Sequence, residues 1–467
     1  MSIIRGIVGL LFVFFLLYTC FYILQWLSGL FVASDRLAKS NDRKKIISYI
    51  YPKEFFKQHP LSVLIPAYNE EACIVETVLS LCNQEYPGLS IIVVDDGSKD
   101  DTSERMISYF QMKPSSCSIE QTIPTEKIHS VFEASYQSHS ILLIQKDNGG
   151  KSDALNCAIN ACKTQRCVVL DADTQVAPDA LSILMVQCLN DQNIVVCAGA
   201  VSTQLDFYQG LSFFQKALLY FQKLEYARTF YMQRILLDQM NGNIVVSGAF
   251  AMFDTAVLKA IGGYKRDTIG EDMEIAMRIH SFFASQKKSY KISYVPEAVC
   301  YTQFPFHYRD YFKQRRRWHI GMVQSMKTHR YMCGNVHYGW IGLLSGTMYM
   351  LYELYTPFIE LAGLFSLMLA FMLDLLDCMF VFKITILYLF FIVVTQAVLI
   401  WILHMYDIEP FRLRTRILII GVSVLEFFLF HPMNIIVKLI AFTSYQSQKK
   451  QWGSITRAKG SMISEKK

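Results

Sequence analysis

The sequence predicts an α/β domain with a mostly parallel sheet, carried among transmembrane α-helices, and three observations predict it. Of 467 residues, 52% are hydrophobic and only 18% charged, with a mean hydropathy of +0.26. A soluble enzyme carries about 25% charged residues, so lipid solvates part of this chain. Residues 7–32 are almost wholly apolar and long apolar stretches return after residue 340, enough for the roughly 20 helical residues that cross a bilayer. Between them, the short apolar runs 61–65, 91–94, 141–144 and 167–170 are each followed by a polar turn and a helix-like stretch. That is the pattern of buried parallel strands with helical crossovers.

In chain order, residues 1–34 hold the first span. A cleaved signal peptide is the alternative, but its apolar core runs to only about 7–15 residues. Arg36, Lys39, Arg43, Lys44 and Lys45 follow the span, against Arg5 before it. This bias puts the N-terminus outside and the next domain in the cytoplasm, with residues 35–59 as a linker. Residues 60–305 form the α/β domain, in which 113–140 is a Ser-rich, irregular surface insertion with partial helix. Residues 207–237 are helix-like and aromatic, carrying Phe213, Phe214, Tyr220, Phe221, Tyr226, Phe230 and Tyr231. Charges interrupt them too often for a span, so they pack against the domain or the membrane face.

Residues 306–339 interleave aromatics with Arg309, Lys313, Arg315, Arg316, Arg317, Lys327 and Arg330, as an amphipathic helix at a membrane surface does. Residues 340–442 are a C-terminal transmembrane region. Its first part, 340–373, is too long for one straight span and contains Pro357, so it reads as an interfacial piece plus a span, or as a kinked span. Residues 384–404 are a cleaner span, and Arg412, Arg414 and Arg416 make the loop after it cytoplasmic. Glu426 and His431-Pro432 interrupt 417–442. This stretch is either a full span, placing the tail outside against the charge bias, or a helix that dips in and returns, the reading favoured by that bias. Residues 443–467, with Lys449, Lys450, Arg457 and Lys459, are then a basic cytoplasmic tail.

The net charge of +6 is modest and no Lys/Arg block forms a nucleic-acid arm. Basic residues flank the apolar segments instead, which suits anionic lipid headgroups and a diphosphate ligand. Twelve cysteines are scattered without CxxC spacing, so neither a zinc site nor a redox pair is expected, and buried reduced thiols are.

The chemistry-bearing motifs stand at predicted strand ends, where ligands of parallel sheets bind. Pro66-Ala67-Tyr68-Asn69-Glu70 follows the first strand and Asp95-Asp96-Gly97-Ser98 the second. An N-cap for the next helix needs only one of those acids; a carboxylate here can also accept hydrogen bonds from a uracil or ribose. Asn148-Gly149-Gly150-Lys151 follows the third strand. It lacks P-loop spacing, but its glycines admit a close backbone approach and Lys151 at a helix start can neutralise a phosphate; a turn with a solvated lysine is the plainer reading. Asp171-Ala172-Asp173 ends the fourth strand on two carboxylates, either a capping turn or oxygen ligands for Mg²⁺ or Mn²⁺ bridging a diphosphate. Gly270-Glu271-Asp272 opens a helix-period stretch, where acids pair with the helix dipole or serve as a general base. In Gln314-Arg315-Arg316-Arg317-Trp318, Arg317 can clamp a diphosphate and the Trp318 indole can stack on a sugar; contact with anionic lipid fits equally.

In that order, these motifs resemble the membrane-embedded family 2 glycosyltransferases, which include cellulose, hyaluronan, chitin and poly-N-acetylglucosamine synthases. The resemblance runs from about residue 61 to 318. It implies a cytoplasmic GT-A domain that binds a UDP-sugar with Mg²⁺ or Mn²⁺. It also implies that Asp95 and Asp96 contact the nucleotide, Lys151 touches the diphosphate, and Asp171 and Asp173 hold the sugar-diphosphate and metal. Asp272, beside Glu271, stands in the place of the family's TED or GDD acid as general base. Gln314, Arg317 and Trp318 match its QxxRW, which binds diphosphate and acceptor glycan. Ser247-Gly248-Ala249 looks like the acceptor-side loop, and Trp452 resembles a late tryptophan near the channel entrance.

Gly270 replaces the threonine of the cellulose-type triplet, and no regulatory module follows the membrane part. Poly-N-acetylglucosamine or another β-linked glycan is therefore expected over cellulose. The resemblance implies inverting transfer from UDP-GlcNAc or UDP-Glc to a growing polysaccharide with coupled export, at the plasma membrane, with membrane lipids and small membrane or export subunits as partners. A glycolipid synthase like the ceramide glucosyltransferases, which carry a similar (Q/R)xxRW, is the second reading. A catalytically inactive channel or scaffold subunit is the third, and the intact acidic motifs speak against it.

Overall fold

The computed structural model describes residues 2–40, 47, 50–204, 208, 210–405 and 413–448. Among these, ten strands form one sheet: β1 Leu61–Ala67, β2 Ser90–Asp95, β3 Lys113–Pro114, β4 Ile128–Tyr136, β5 His139–Lys146, β6 Arg166–Leu170, β7 Thr174–Val176, β8 Ile194–Ser202, β9 Phe250–Asp254 and β10 Lys291–Thr302. Their order is β3-β4-β5-β2-β1-β6-β9-β8-β10-β7. The four strands expected from the sequence are β1, β2, β5 and β6, and they pair in parallel. Every residue of β1 is buried, as it must be in a sheet covered on both faces, so the strand reads as one apolar run. The chain winds from β1 to β2 to β5, then crosses to the other side of β1 for β6. Ligands bind outside the strand ends at such a reversal, and Tyr68-Asn69 and Asp171 flank it.

Beyond this block the sheet is mixed rather than mostly parallel. β9 is antiparallel to both β6 and β8, and β7 is antiparallel to β10. The long connection between the neighbouring antiparallel strands β8 and β9 carries the helix Phe213–Arg228. The 113–140 segment is also corrected: among its described residues there is no helix. Instead, β4 pairs antiparallel with β5 and extends the edge, packing Val131, Phe132 and Ala134 onto the core. The serines hid this, although β4 alternates between more and less buried positions as an edge strand does.

Among the described residues, three helical stretches, Gly6–Ala38, Cys378–His404 and Thr415–Thr443, are long and apolar enough to cross a membrane. A fourth candidate is the pair Ile341–Leu354 and Thr356–Met372, bent by 58°. The bend falls where Pro357 opens the second helix, as the sequence predicts for a kinked segment. The last stretch differs from its expectation. It runs as one helix through a π-turn at Glu426–Phe430 rather than dipping and returning.

The polar interruptions find distant partners instead of forcing a reversal. Glu426 receives both Arg228 guanidinium nitrogens, and His431 Nε2 lies 2.7 Å from Glu360 Oε2. One side of this helix lies along the domain. Phe430 stacks on Phe221 at 4.3 Å, Asn434 accepts from the Tyr311 hydroxyl at 2.7 Å, and Ala441 packs with Ile269 and Ile320. Ile417, Leu418, Phe428, Leu429 and Ile436 stay exposed.

The aromatic segment divides similarly. Phe221 and Phe230 are buried, while Phe213 and Phe214 are each 68% exposed. Near the domain end of the first helix, Arg36 Nη2 lies 3.7 Å from the buried Glu297 carboxylate. Arg43, Lys44, Lys45, Phe207, Arg412, Lys449, Lys450, Trp452, Arg457 and Lys459 lie outside the described residues.

Candidate active site

The four strand-end motifs converge, but they do different things. Asp95, last in β2, gives one carboxylate oxygen to the Ser98 amide at 2.9 Å and the other to the Ser103 hydroxyl. Asp96 accepts from the Gly149 amide at 3.0 Å, the Gly150 amide at 2.7 Å and the Lys146 ammonium. Burial pushes its carboxyl above the ordinary range, and Lys146 and the two amides oppose that rise. Gly97, at φ +70°, lets the two loops meet: a Cβ there would lie 3.0 Å from the Asn148 nitrogen. Each of the two carboxylates thus has both oxygens bonded within the protein.

Beside them is a cluster of charge. Lys151 Nζ lies 2.7 Å from Asp171 Oδ1 and 3.1 Å from Glu271 Oε1. Burial disfavours this ammonium, but Asp171 and Glu271 outweigh burial and raise its pKa. Burial likewise raises the Asp171 carboxyl; Lys151 opposes the rise and Asp173 adds to it. Burial, with Glu271 alongside, pushes the Asp272 carboxyl up to about 6, so this group exchanges its proton close to neutral pH. Ser247 is buried, and Gly248 comes next to the cluster: a Cβ on Gly248 would lie 3.4 Å from Lys151 Nζ and 3.5 Å from Asp272 Cβ. The Asp272 carbonyl accepts from the Val246 amide at 3.4 Å, which fixes this loop against the acid.

Among the described residues, no three His, Cys, Asp or Glu side chains gather as a cage for a metal. Asp171 and Asp173 offer two carboxylates on one turn, and the charge of Asp173 adds to the cost of ionising Asp171. Such a pair suits a divalent ion whose remaining ligands are phosphate oxygens and water.

Gln314, Arg317 and Trp318 are linked to these acids through the backbone. They lie in the helix Tyr308–Thr328, where positions 314, 317, 318, 321 and 325 share one stripe. Gly321 in that stripe meets Gly270: a Cβ on Gly270 would lie 2.6 Å from the Gly321 carbonyl carbon. Gln324 Oε1 accepts from the Ile269 amide at 2.9 Å, and Ser325 Oγ donates to the Gly270 carbonyl at 3.2 Å. The glycine that departs from the threonine-containing triplet therefore permits a backbone-to-backbone contact. Along the helix, Arg315 pairs with Glu225 at 2.8 Å and stacks over Trp318 at 4.4 Å, leaving Trp318 40% exposed. Arg315, Glu225 and Lys146 were missed in the sequence, because each acquires its meaning from a partner far along the chain.

Comparison with known proteins completes the description. A family model described as glycosyltransferase like family 2 matches residues 59–321. A poly-beta-1,6-N-acetyl-D-glucosamine synthase of Staphylococcus epidermidis is 25% identical over 309 residues, 66% of this chain and 64% of that protein. A Staphylococcus aureus protein of the same name is 24% identical over 328 residues, 68% of this chain and 69% of its own. The chain thus spans just under two thirds of the first of these relatives. Among solved structures, a mannosyltransferase from Pyrobaculum calidifontis in complex with GDP-Man and Mn²⁺ overlays with a TM-score of 0.50 at 19% identity, covering 81% of this chain and all of that one. That likeness is one of fold.

Proposed function

The chain belongs to glycosyltransferase family 2, and from that premise we propose that it is an inverting, UDP-sugar-dependent membrane transferase that extends a β-linked polysaccharide. The observation that carries the proposal is the Lys151–Asp171–Glu271 cluster with Asp272 and Gly248 against it. Asp272 takes the proton from an acceptor hydroxyl. The oxygen attacks the anomeric carbon from the face opposite the nucleotide, the new glycosidic bond forms, and the bond from that carbon to the diphosphate oxygen breaks. UDP leaves with its electron pair, and no covalent enzyme intermediate is needed.

Lys151 and Arg317 meet the charge that grows on the diphosphate. Mg²⁺ or Mn²⁺ held by Asp171 and Asp173 would supply further charge stabilisation there. Asp95 and Asp96 shape the nucleotide end, Ser247 and Gly248 border the acceptor, and Gln314 and Trp318 hold it. The relatives are named for poly-beta-1,6-N-acetyl-D-glucosamine, which supports N-acetylglucosamine as the sugar transferred, hence UDP-GlcNAc as the donor in this reading, and a glycan as the acceptor. The basic residues after the first helix support a cytoplasmic catalytic domain, with the apolar helices as a product path and small membrane subunits as partners.

A transferase that adds one or a few sugars to a membrane lipid is the second reading. The small number of candidate spans among the described residues, three or four, favours it. One experiment separates the two. Membranes carrying the protein are incubated with a panel of UDP-sugars and Mg²⁺ or Mn²⁺, with and without EDTA, and products are sized and extracted. A long water-soluble polymer supports the first reading; a solvent-extractable glycolipid replaces it with the second. Full activity in EDTA would remove Asp171 and Asp173 from the metal role.

A further inference from the structure

Lys146 and Asp153 lie outside the strand-end motifs, yet both side chains are fully buried. Lys146 ends β5, and its ammonium contacts the Asp96 carboxylate, Asp153 Oδ2 at 2.6 Å and the Asp147 carbonyl at 2.6 Å. Asp153 lies in the first turn of the helix Lys151–Ala161. It also forms an ion pair with Arg266, Nε to Oδ1 at 3.1 Å, and accepts from the Glu126 amide at 3.2 Å. The loop between Lys146 and that helix lies flat on Asp153, since a Cβ at Gly149 would come within 2.6 Å of the Asp153 carboxyl carbon. Its two glycine amides are held from the other side by Asp96.

A buried charge cluster of this kind is a poor source of stability, because desolvation offsets most of the attraction, and apolar replacements are often neutral. What it supplies is position. It joins the ends of adjacent strands β2 and β5 to the start of one helix, and that helix begins with Lys151. Through Arg266 it also reaches the loop that leads to Gly270-Glu271-Asp272. Asn156 on the same helix holds that loop by exchanging two hydrogen bonds with the Tyr264 backbone, at 2.7 and 2.8 Å. Glu126 completes the set. Its amide reaches Asp153 and its carboxylate pairs with Arg266, which gives the edge insertion a tie to the site.

We infer that Lys146 and Asp153 are positioning residues of the donor site: through Asp96 and the Gly149-Gly150 amides they set where Lys151 presents its ammonium to the donor diphosphate. This rests on the proposed role of Lys151 as a diphosphate contact.

The test is a double-mutant cycle on the purified full-length protein in detergent, titrated with UDP in the presence of Mn²⁺. Lys151→Ala, Lys146→Met and the double variant are compared with the parent, and Tm is recorded for each. Lys146→Met alone is expected to weaken UDP binding roughly 10-fold, as a displaced contact does. On the Lys151→Ala background it should add less than about 2-fold, because the two substitutions remove the same interaction. Equal weakening on both backgrounds overturns the positioning role while leaving the role of Lys151 intact. Unchanged UDP binding in Lys151→Ala overturns the donor reading, and this inference with it. If Lys146→Met does not fold, Asp153→Asn, which keeps the Lys146–Asp96 pair, is carried through the same cycle against the same outcomes.

Discussion

The proposed donor side and the proposed acceptor side are built on opposite principles. On the donor side, Asp95, Asp96, Lys146, Lys151, Asp153 and Asp171 are interlocked, and the loops that carry them are pressed together at glycines. Along the Gln314–Trp318 helix, buried polar atoms lack a protein partner among the described residues: Gln314 Oε1, Arg315 Nε and Nη2, and Glu225 Oε2. Buried groups of that kind are costly unless something else bonds them. The difference suits the two ligands. A nucleotide diphosphate is the same at every turn of the reaction and rewards a rigid cradle. A polyhydroxyl chain brings its own donors and acceptors, so its side of the site can leave hydrogen-bonding capacity open.

The largest effect that would break this contrast is at the junction. Asp272→Asn should lower transfer about 10²–10⁴-fold, the range for losing a general base, with UDP affinity within a factor of two as read by titration. Near-normal turnover would remove Asp272 from the base role. Gly321→Ala comes next. The added methyl lies 2.7 Å from the Gly270 Cα, so the arginine-rich helix must separate from the helix Glu271–Gln286 that Gly270 caps. That overpacking costs about 1–3 kcal/mol, and the displaced base lowers transfer roughly 10²-fold. Thermal melts and turnover, measured together, check both. An unchanged rate would show that the acids and the arginine-rich helix are not held as one unit. Trp318→Ala tests the acceptor side alone. Aromatic packing is worth about 0.5–1.5 kcal/mol, so acceptor use should fall roughly 3- to 10-fold, shortening the product while UDP binding holds. A product of unchanged length would count against stacking.

The same contrast explains what the sequence disclosed. The strand ends were legible because β1, β2 and β6 are covered on both faces and stop at polar turns. Lys146 was not, because a lysine closing a strand looks like a solvated end until Asp96, 50 residues earlier, is seen beside it. The last helix was misread for a similar reason. Glu426 and His431 look like interruptions locally, but their partners Arg228 and Glu360 stand 198 and 71 residues away. The antiparallel pairing of β9 with β6 and β8 left no local signal either, since an apolar run such as 250–254 does not state its direction. Gly270 was noticed as a departure from a family pattern, and only its contact with Gly321 gives the departure a cause.

The smallest expected effect concerns stability. The Asp272 carboxyl stands at about 6 in the folded protein, against roughly 3.9 for an exposed aspartate. The folded state therefore binds the proton more tightly than the unfolded chain, and stability declines as pH rises between those two values. Above pH 6 the protein carries the full cost of an ionised, half-buried carboxylate next to Glu271; below about pH 4 it carries none. Asp272→Asn removes the ionisation, so the variant should melt higher than the parent at pH 7.5, by roughly 2–4 °C for each kcal/mol released. The gain should shrink on acidification and vanish near pH 4. The sign matters more than the size. The Asp96 carboxyl on the donor side is also raised by burial, but Asn at that position leaves the fully buried Lys146 ammonium without one of its two carboxylates. Breaking a buried pair outweighs the relief of one ionisation, so Asp96→Asn should lose stability. If Asp272→Asn melts lower than the parent at pH 7.5 while Asp96→Asn does not, the division between a locked donor side and a strained catalytic acid is wrong.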